Sequence, residues 1–121
     1  MSDMTPMEEI RAERQRQIEV EGWTPEHDDE HNCEEMRVAA WCYYANASRS
    51  FEAPLRDDGA PVGWPWAAKW WKPKDKRRDL IRAGALCLAE IERLERAGED
   101  NLTHMPKHLL YLILKAMERQ P

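Results

Sequence analysis

The stretch between Pro73 and Gly98 constrains the fold more than any other part of the chain. Leu80, Ala83, Gly84, Cys87, Ile91 and Leu94 recur there at three- and four-residue spacing, and Ile81, Ala85 and Leu88 widen the same face. That period predicts a helix over about 74–97, stopped by Gly98. Gly84 sits inside it at a cost of about 1 kcal/mol relative to alanine, which predicts close approach of a neighbouring helix. A face this broad has to be covered, and the rest of the chain offers helices to cover it.

Thr5-Pro6-Met7-Glu8 reads as an N-cap, a proline at the first helical position and a capping-box glutamate. A helix should run from there to Val20 or Glu21, with Gly22 as its left-handed stop and a thin apolar stripe of Met7, Ile10, Ile18 and Val20. Asn32-Cys33-Glu34-Glu35 reads as a second cap. It opens a helix to about Ala47 on Met36, Ala39, Ala40, Tyr43 and Ala47, with Trp41 and Tyr44 widening the buried face. Pro106 should begin a last helix to about Arg119, carrying Leu109, Leu110, Ile113, Leu114 and Met117. Between Arg49 and Lys72 the prolines and glycines at Pro54, Gly59, Pro61, Gly63 and Pro65 mark a long loop, which four tryptophans at its end should fix in place. No alternating strand pattern and no internal repeat stands out. The predicted fold is all-α: a four-helix bundle-like single domain over 1–121 with a long Trp-rich crossover loop.

Net charge narrows the partners. At −5 over 121 residues, general affinity for nucleic acid or anionic lipid is not expected. No apolar run reaches the roughly 18–20 residues that span a bilayer, and Met1-Ser2-Asp3-Met4-Thr5 has no signal-peptide character. A cytoplasmic protein is expected, and Cys33, Cys42 and Cys87, odd in number, should be free thiols there.

The chemistry lies in two charged segments. Glu26, Asp28, Asp29, Glu30, Glu34 and Glu35 crowd together with His27 and His31. That many carboxylates need a metal ion or basic side chains to answer them. Lys69, Lys72, Lys74, Lys76, Arg77, Arg78 and Arg82 supply such a basic segment, directly after Trp64-Pro65-Trp66 and Trp70-Trp71. Cations at a helix start call for a reason, and either a bound phosphate or the acidic segment provides one. Indole faces can stack on a base or glue the loop to the bundle; Trp70 and Trp71, being adjacent, cannot both point the same way. The acids Glu30, Glu34, Glu35, Asp75 and Asp79 could hold Mg²⁺, or could cap helices and form salt bridges. His27, His31 and Cys33 lack the further ligand pair of a zinc site and are read as surface or loop-capping groups. Neither a phosphate-binding glycine loop nor a Ser-His-Asp or Cys-His arrangement is present.

Two family resemblances arise at these residues. Arg14, Gln17, Gly22-Trp23, Asp28-Asp29 and His31, followed by Pro65-Trp66 and Lys76-Arg77-Arg78-Asp79, resemble the ryanodine-receptor-type repeat, a family associated with nucleotide-type ligands. An extra helix over about 33–47 interrupts that pattern, and Arg78-Asp79 reverses its expected order. More weakly, Glu30, Glu34 and Glu35 with Asp75 and Asp79 look like the acidic motifs of MazG-type all-α nucleotide pyrophosphohydrolases, which would imply Mg²⁺. Arg37 and Val38 stand where that family would carry its next acid. The chain as a whole is similar to small helical phage and prophage proteins.

The expectation is a protein that binds a nucleotide or nucleotide-derived signal, in a phage context sequestering it from host defence. Trp66 or Trp23 would stack, Arg78, Lys76 or Arg14 would hold phosphate, and Asp28, Asp29 and His31 would give polar recognition. No cofactor is required for that role, and a homo-oligomer is expected. The alternatives are the Mg²⁺-dependent hydrolase and an acidic inhibitor that docks its tryptophan loop on a host protein.

Overall fold

A computed structural model describes residues 4–22, 35–48 and 54–119. Four α-helices occur among them and no strand beyond one isolated bridge, Leu55 to Pro61, so the fold is all-α and bundle-like. Helix α1 spans Pro6–Glu21, α2 Glu35–Ser48, α3 Lys76–Arg96 and α4 His104–Glu118. None is long and apolar enough to cross a membrane.

Helix α1 forms where its caps predict. The Thr5 hydroxyl accepts from the Glu8 amide at 3.1 Å, and the Thr5 amide donates to the Glu8 carboxylate at 3.3 Å. Gly22 ends the helix at φ 74°, a left-handed conformation that glycine adopts at little cost. The buried face differs from the predicted stripe. Ile10, Glu13, Arg14 and Gln17 face inward, while Val20 is 70% exposed. Three of those four are polar, so α1 is held partly by hydrogen bonds.

Helix α3 is the centre. Leu80, Ala83, Leu86 and Cys87 are fully buried, and α1, α2 and α4 all pack on it. It begins at Lys76, after Asp75, whose carboxylate accepts from the Arg78 amide at 2.8 Å and caps the helix. Gly84 explains how α1 comes so close. A Cβ there would lie 2.5 Å from Ile10 Cδ1 and 2.7 Å from Cγ1. Helix α4 starts at His104, earlier than the proline rule suggested, with Pro106 inside its first turn. Proline is tolerated there because first-turn amides have no intrahelical acceptor.

The crossover is tied down rather than loose. Arg56 clamps Asp58 at 3.0 and 2.7 Å and donates to the Trp64 carbonyl at 3.0 Å. Trp64 is buried, with its indole N–H on the Ala67 carbonyl. Around it, Trp66 lies edge-on at 5.4 Å, Trp71 at 5.0 Å and Tyr43 at 5.7 Å. Edge-to-face aromatic packing of this kind adds to area burial.

Candidate functional site

The sequence-predicted site residues separate into three groups. Trp23, Asp28, Asp29, Glu30, His31 and Glu34, with His27 and Cys33, lie outside the described residues. The second group is engaged inside the protein. Arg14 is buried between α1 and α3 and pairs with Glu92 at 3.2 Å. Arg78 pairs with Glu13 on α1, and Trp66 donates its indole N–H to Glu35 at 2.9 Å. Asp75 is the α3 cap. Asp79 is buried, accepting from the Lys74 amide at 2.8 Å and from the Asn46 side chain at 3.1 Å, so that it joins α2 to the start of α3. Burial pushes the Asp79 carboxyl up, against those two bonds that hold it down. The third group is Lys76 alone, exposed at the first position of α3. The basic segment thus answers acids on other elements: Arg77 meets Glu9 at 2.5 Å, as Arg78 meets Glu13.

These residues are not brought to one point. A different set is. A small cleft of about 30 Å³ opens between α1, α3, Tyr43 of α2 and the strap at Trp70–Lys72. That is room for about one water-sized group, so a larger ligand would lie over the mouth of the cleft rather than inside it. The strap is positioned by Tyr43. Its hydroxyl accepts from the Lys72 amide at 3.2 Å and donates to the Trp70 carbonyl at 3.5 Å, and its ring stacks on Trp71 at 4.7 Å. Burial pushes the Tyr43 phenol up, so it remains a neutral donor. Trp71 thereby turns inward and Trp70 outward.

Trp70 is 46% exposed at the cleft, with the Lys69 and Lys72 ammonium groups 5.2 and 5.5 Å from its ring centre. Arg82 reaches over the Tyr43 ring at 5.9 Å and donates to the Lys72 carbonyl. Among the described residues, neither Lys72 nor Arg82 has a carboxylate within ion-pair distance. The α1 wall is different. Glu13 is almost fully buried and receives Arg16 at 2.8 and 2.9 Å, Gln17 at 3.2 Å, and Arg78. Burial alone would raise its carboxyl, but the Arg16 hydrogen bond and the Arg78 and Arg16 charges outweigh it and hold Glu13 below the usual range. Arg16 also meets Glu21 at 3.2 Å.

Sequence reasoning passed over Trp70, Lys72, Arg82, Gln17 and Tyr43 as a set. One signal was present: in Lys69-Trp70-Trp71-Lys72, one indole must face out, and lysines flank it on both sides. That Gln17 of α1 lines the same cleft had no sequence signal, because the buried face of α1 is polar. The resemblances described above rest on the residues quoted for them: no protein-family model, no curated protein and no solved structure matches this chain.

Proposed function

We propose that this protein binds a small phosphorylated ligand with an aromatic group, of the nucleotide type, over the mouth of the cleft beside Trp70. The observation that carries this is the contrast among the tryptophans. Trp64 and Trp71 are spent on packing and Trp66 on Glu35, whereas Trp70 stands half-exposed beside cations that have no carboxylate partner among the described residues. A base stacked on an indole gains roughly 1–3 kcal/mol. Lys72 and Arg82 can then hold phosphate by charge-assisted hydrogen bonds. Phosphate holding moves from Arg14 and Arg78, both engaged with glutamates, to these two residues, and stacking moves from Trp66 to Trp70.

Binding without turnover suits sequestration of a nucleotide signal. The hydrolase alternative draws on Glu30 and Glu34, outside the described residues, and on Glu35, Asp75 and Asp79, each already in a structural bond.

A thermal-shift panel of ATP, GTP, CTP and UTP, with and without Mg²⁺, tests the proposal. A ligand at 100 times its dissociation constant should stabilise the native state by about 2.7 kcal/mol. Trp70→Ala should weaken that ligand at least about tenfold with the melt unchanged. Trp66→Ala should lower the melt instead. If no nucleotide shifts the wild-type melt, the cleft is not a nucleotide site.

A further inference from the structure

We infer that the exposed lysines of the strap form a ladder for a phosphate chain, with Lys74 at the terminal phosphate, so that the ligand is a nucleoside triphosphate rather than a monophosphate; this rests on the nucleotide-type function proposed above. Lys69, Lys72, Lys74 and Lys76 follow one another closely in sequence, and all four are exposed. Among the described residues, none of them has a carboxylate within ion-pair distance. The neighbouring arginines differ, since Arg77 meets Glu9 and Arg78 meets Glu13. The one acid between Lys69 and Lys76, Asp75, has its carboxylate on the Arg78 amide as the α3 cap. In a chain of net charge −5 this is a local patch of opposite sign, whose self-repulsion an anion would relieve.

The backbone gives the patch an order. Trp71 and Asp75 are extended, and Pro73 disfavours the helical conformation for Lys72 before it. The strap is pinned on its inner side: the Lys72 amide donates to the Tyr43 hydroxyl at 3.2 Å and the Lys74 amide to Asp79 at 2.8 Å. Those anchors fix where the two lysines start and leave their side chains in solvent. Two residues of extended chain cover roughly 6–7 Å, comparable to the separation of the first and third phosphorus atoms of a triphosphate.

The ladder starts at the ring. Lys69 and Lys72 hold their ammonium groups 5.2 and 5.5 Å from the Trp70 ring centre. A base stacked on Trp70 brings the phosphate nearest its ribose within reach of Lys72. A longer chain continues along the strap to Lys74, with Lys76 beyond it, whereas a monophosphate ends at Lys72. The cleft, at about 30 Å³, is too small for a phosphate chain, so the phosphates lie on the open surface and each contact is an exposed ion pair.

Calorimetric titration with the 5′-mono-, di- and triphosphates of adenosine, guanosine, cytidine and uridine decides this. Mg²⁺ is chelated, and salt is held near about 0.1 M, where exposed charges more than roughly 10 Å apart are largely screened. An exposed ion pair is worth up to roughly fivefold in affinity, so the triphosphate of whichever nucleoside binds is expected to bind about five- to twentyfold more tightly than its monophosphate. Lys74→Gln should remove most of that advantage and leave monophosphate affinity unchanged. The fold should survive, because Lys74 is exposed and its structural bond is made by the backbone amide, which glutamine keeps. Lys107→Gln controls for net charge. Arg77 donates to the Met117 carbonyl, which puts the end of α4 at the start of α3, and Lys107 lies about 15 Å back along α4. Equal binding of mono- and triphosphate by wild type, both still dependent on Trp70, overturns the ladder and leaves the nucleotide site standing. So does a triphosphate advantage that Lys74→Gln reduces no more than Lys107→Gln does, because general charge attraction then accounts for it. No binding by any of these nucleotides overturns both.

Discussion

Replacing Gly84 with alanine drives a methyl group into Ile10. The added Cβ would lie 2.5, 2.7 and 3.1 Å from Ile10 Cδ1, Cγ1 and Cγ2, and Ile10 is fully buried. A β-branched side chain on a helix has one strongly preferred χ1, so Ile10 cannot swing aside cheaply. Two effects oppose. Alanine gains about 1 kcal/mol of helix propensity over glycine. Overpacking of a dense core costs about 1–3 kcal/mol. The clash involves three atoms of one rigid neighbour, so a net loss of up to about 2 kcal/mol is expected, a fall of about 4 °C or more per kcal/mol in melting temperature for a small domain. Ile10→Ala alone should cost about 2–5 kcal/mol by leaving a cavity. In that background the clash is gone, and Gly84→Ala should stabilise by about 1 kcal/mol. Urea unfolding of wild type, both single variants and the double variant gives the coupling directly. About 1–3 kcal/mol of favourable coupling is expected. If Gly84→Ala stabilises the wild type, and the two changes simply add, the α1–α3 contact through Gly84 is wrong.

Leu86 is fully buried on α3 whereas Leu110 is only half-buried on α4; Leu86→Asp should abolish the cooperative melt and Leu110→Asp should only lower it, as circular dichroism would show. Burial raises the Cys42 thiol to about 11 and pushes Cys87 up further, so native-state alkylation of both should be slow at neutral pH, whereas rapid labelling of Cys87 would contradict its place in the core. Glu13 is held below its ordinary value of 4.5, so its contribution is complete above that pH and is lost as pH falls through the folded-state value. Glu13→Gln is therefore expected to flatten the acid limb of the stability–pH curve, and an unchanged acid limb would mean that its arginines do not hold it.

Most of the fold was legible because its signals are local. A threonine, a proline and a glutamate set the start of α1, a glycine sets its end, and a continuous apolar face sets α3. The starts of α3 and α4 shifted by two residues for equally local reasons: Asp75 carries a capping carboxylate that Pro73 lacks, and a first-turn proline does not define the first residue. The site was less legible. Arg14 and Arg78 were expected to hold phosphate, but each has a glutamate partner far away in sequence, and such pairing follows from tertiary contact. Trp70 and Trp71 could be assigned opposite directions from adjacency alone. Which of them faces out is decided by Tyr43, which stacks on Trp71 and holds the strap backbone through its hydroxyl.

Trp70 is where the functional account can be tested most directly. Each of the six indole N–H groups gives its own signal in a two-dimensional ¹H–¹⁵N spectrum, and single Trp→Phe substitutions assign them. Trp64 and Trp66 have their indole N–H groups bonded to the Ala67 carbonyl and to Glu35, which makes them internal controls. On titration with the four nucleoside triphosphates, the Trp70 signal is expected to move with at least one of them, saturably and more weakly at high salt, while the Trp64 signal stays put. A Trp70 signal that no nucleotide moves, or movement confined to Trp66, would contradict the cleft as the binding site.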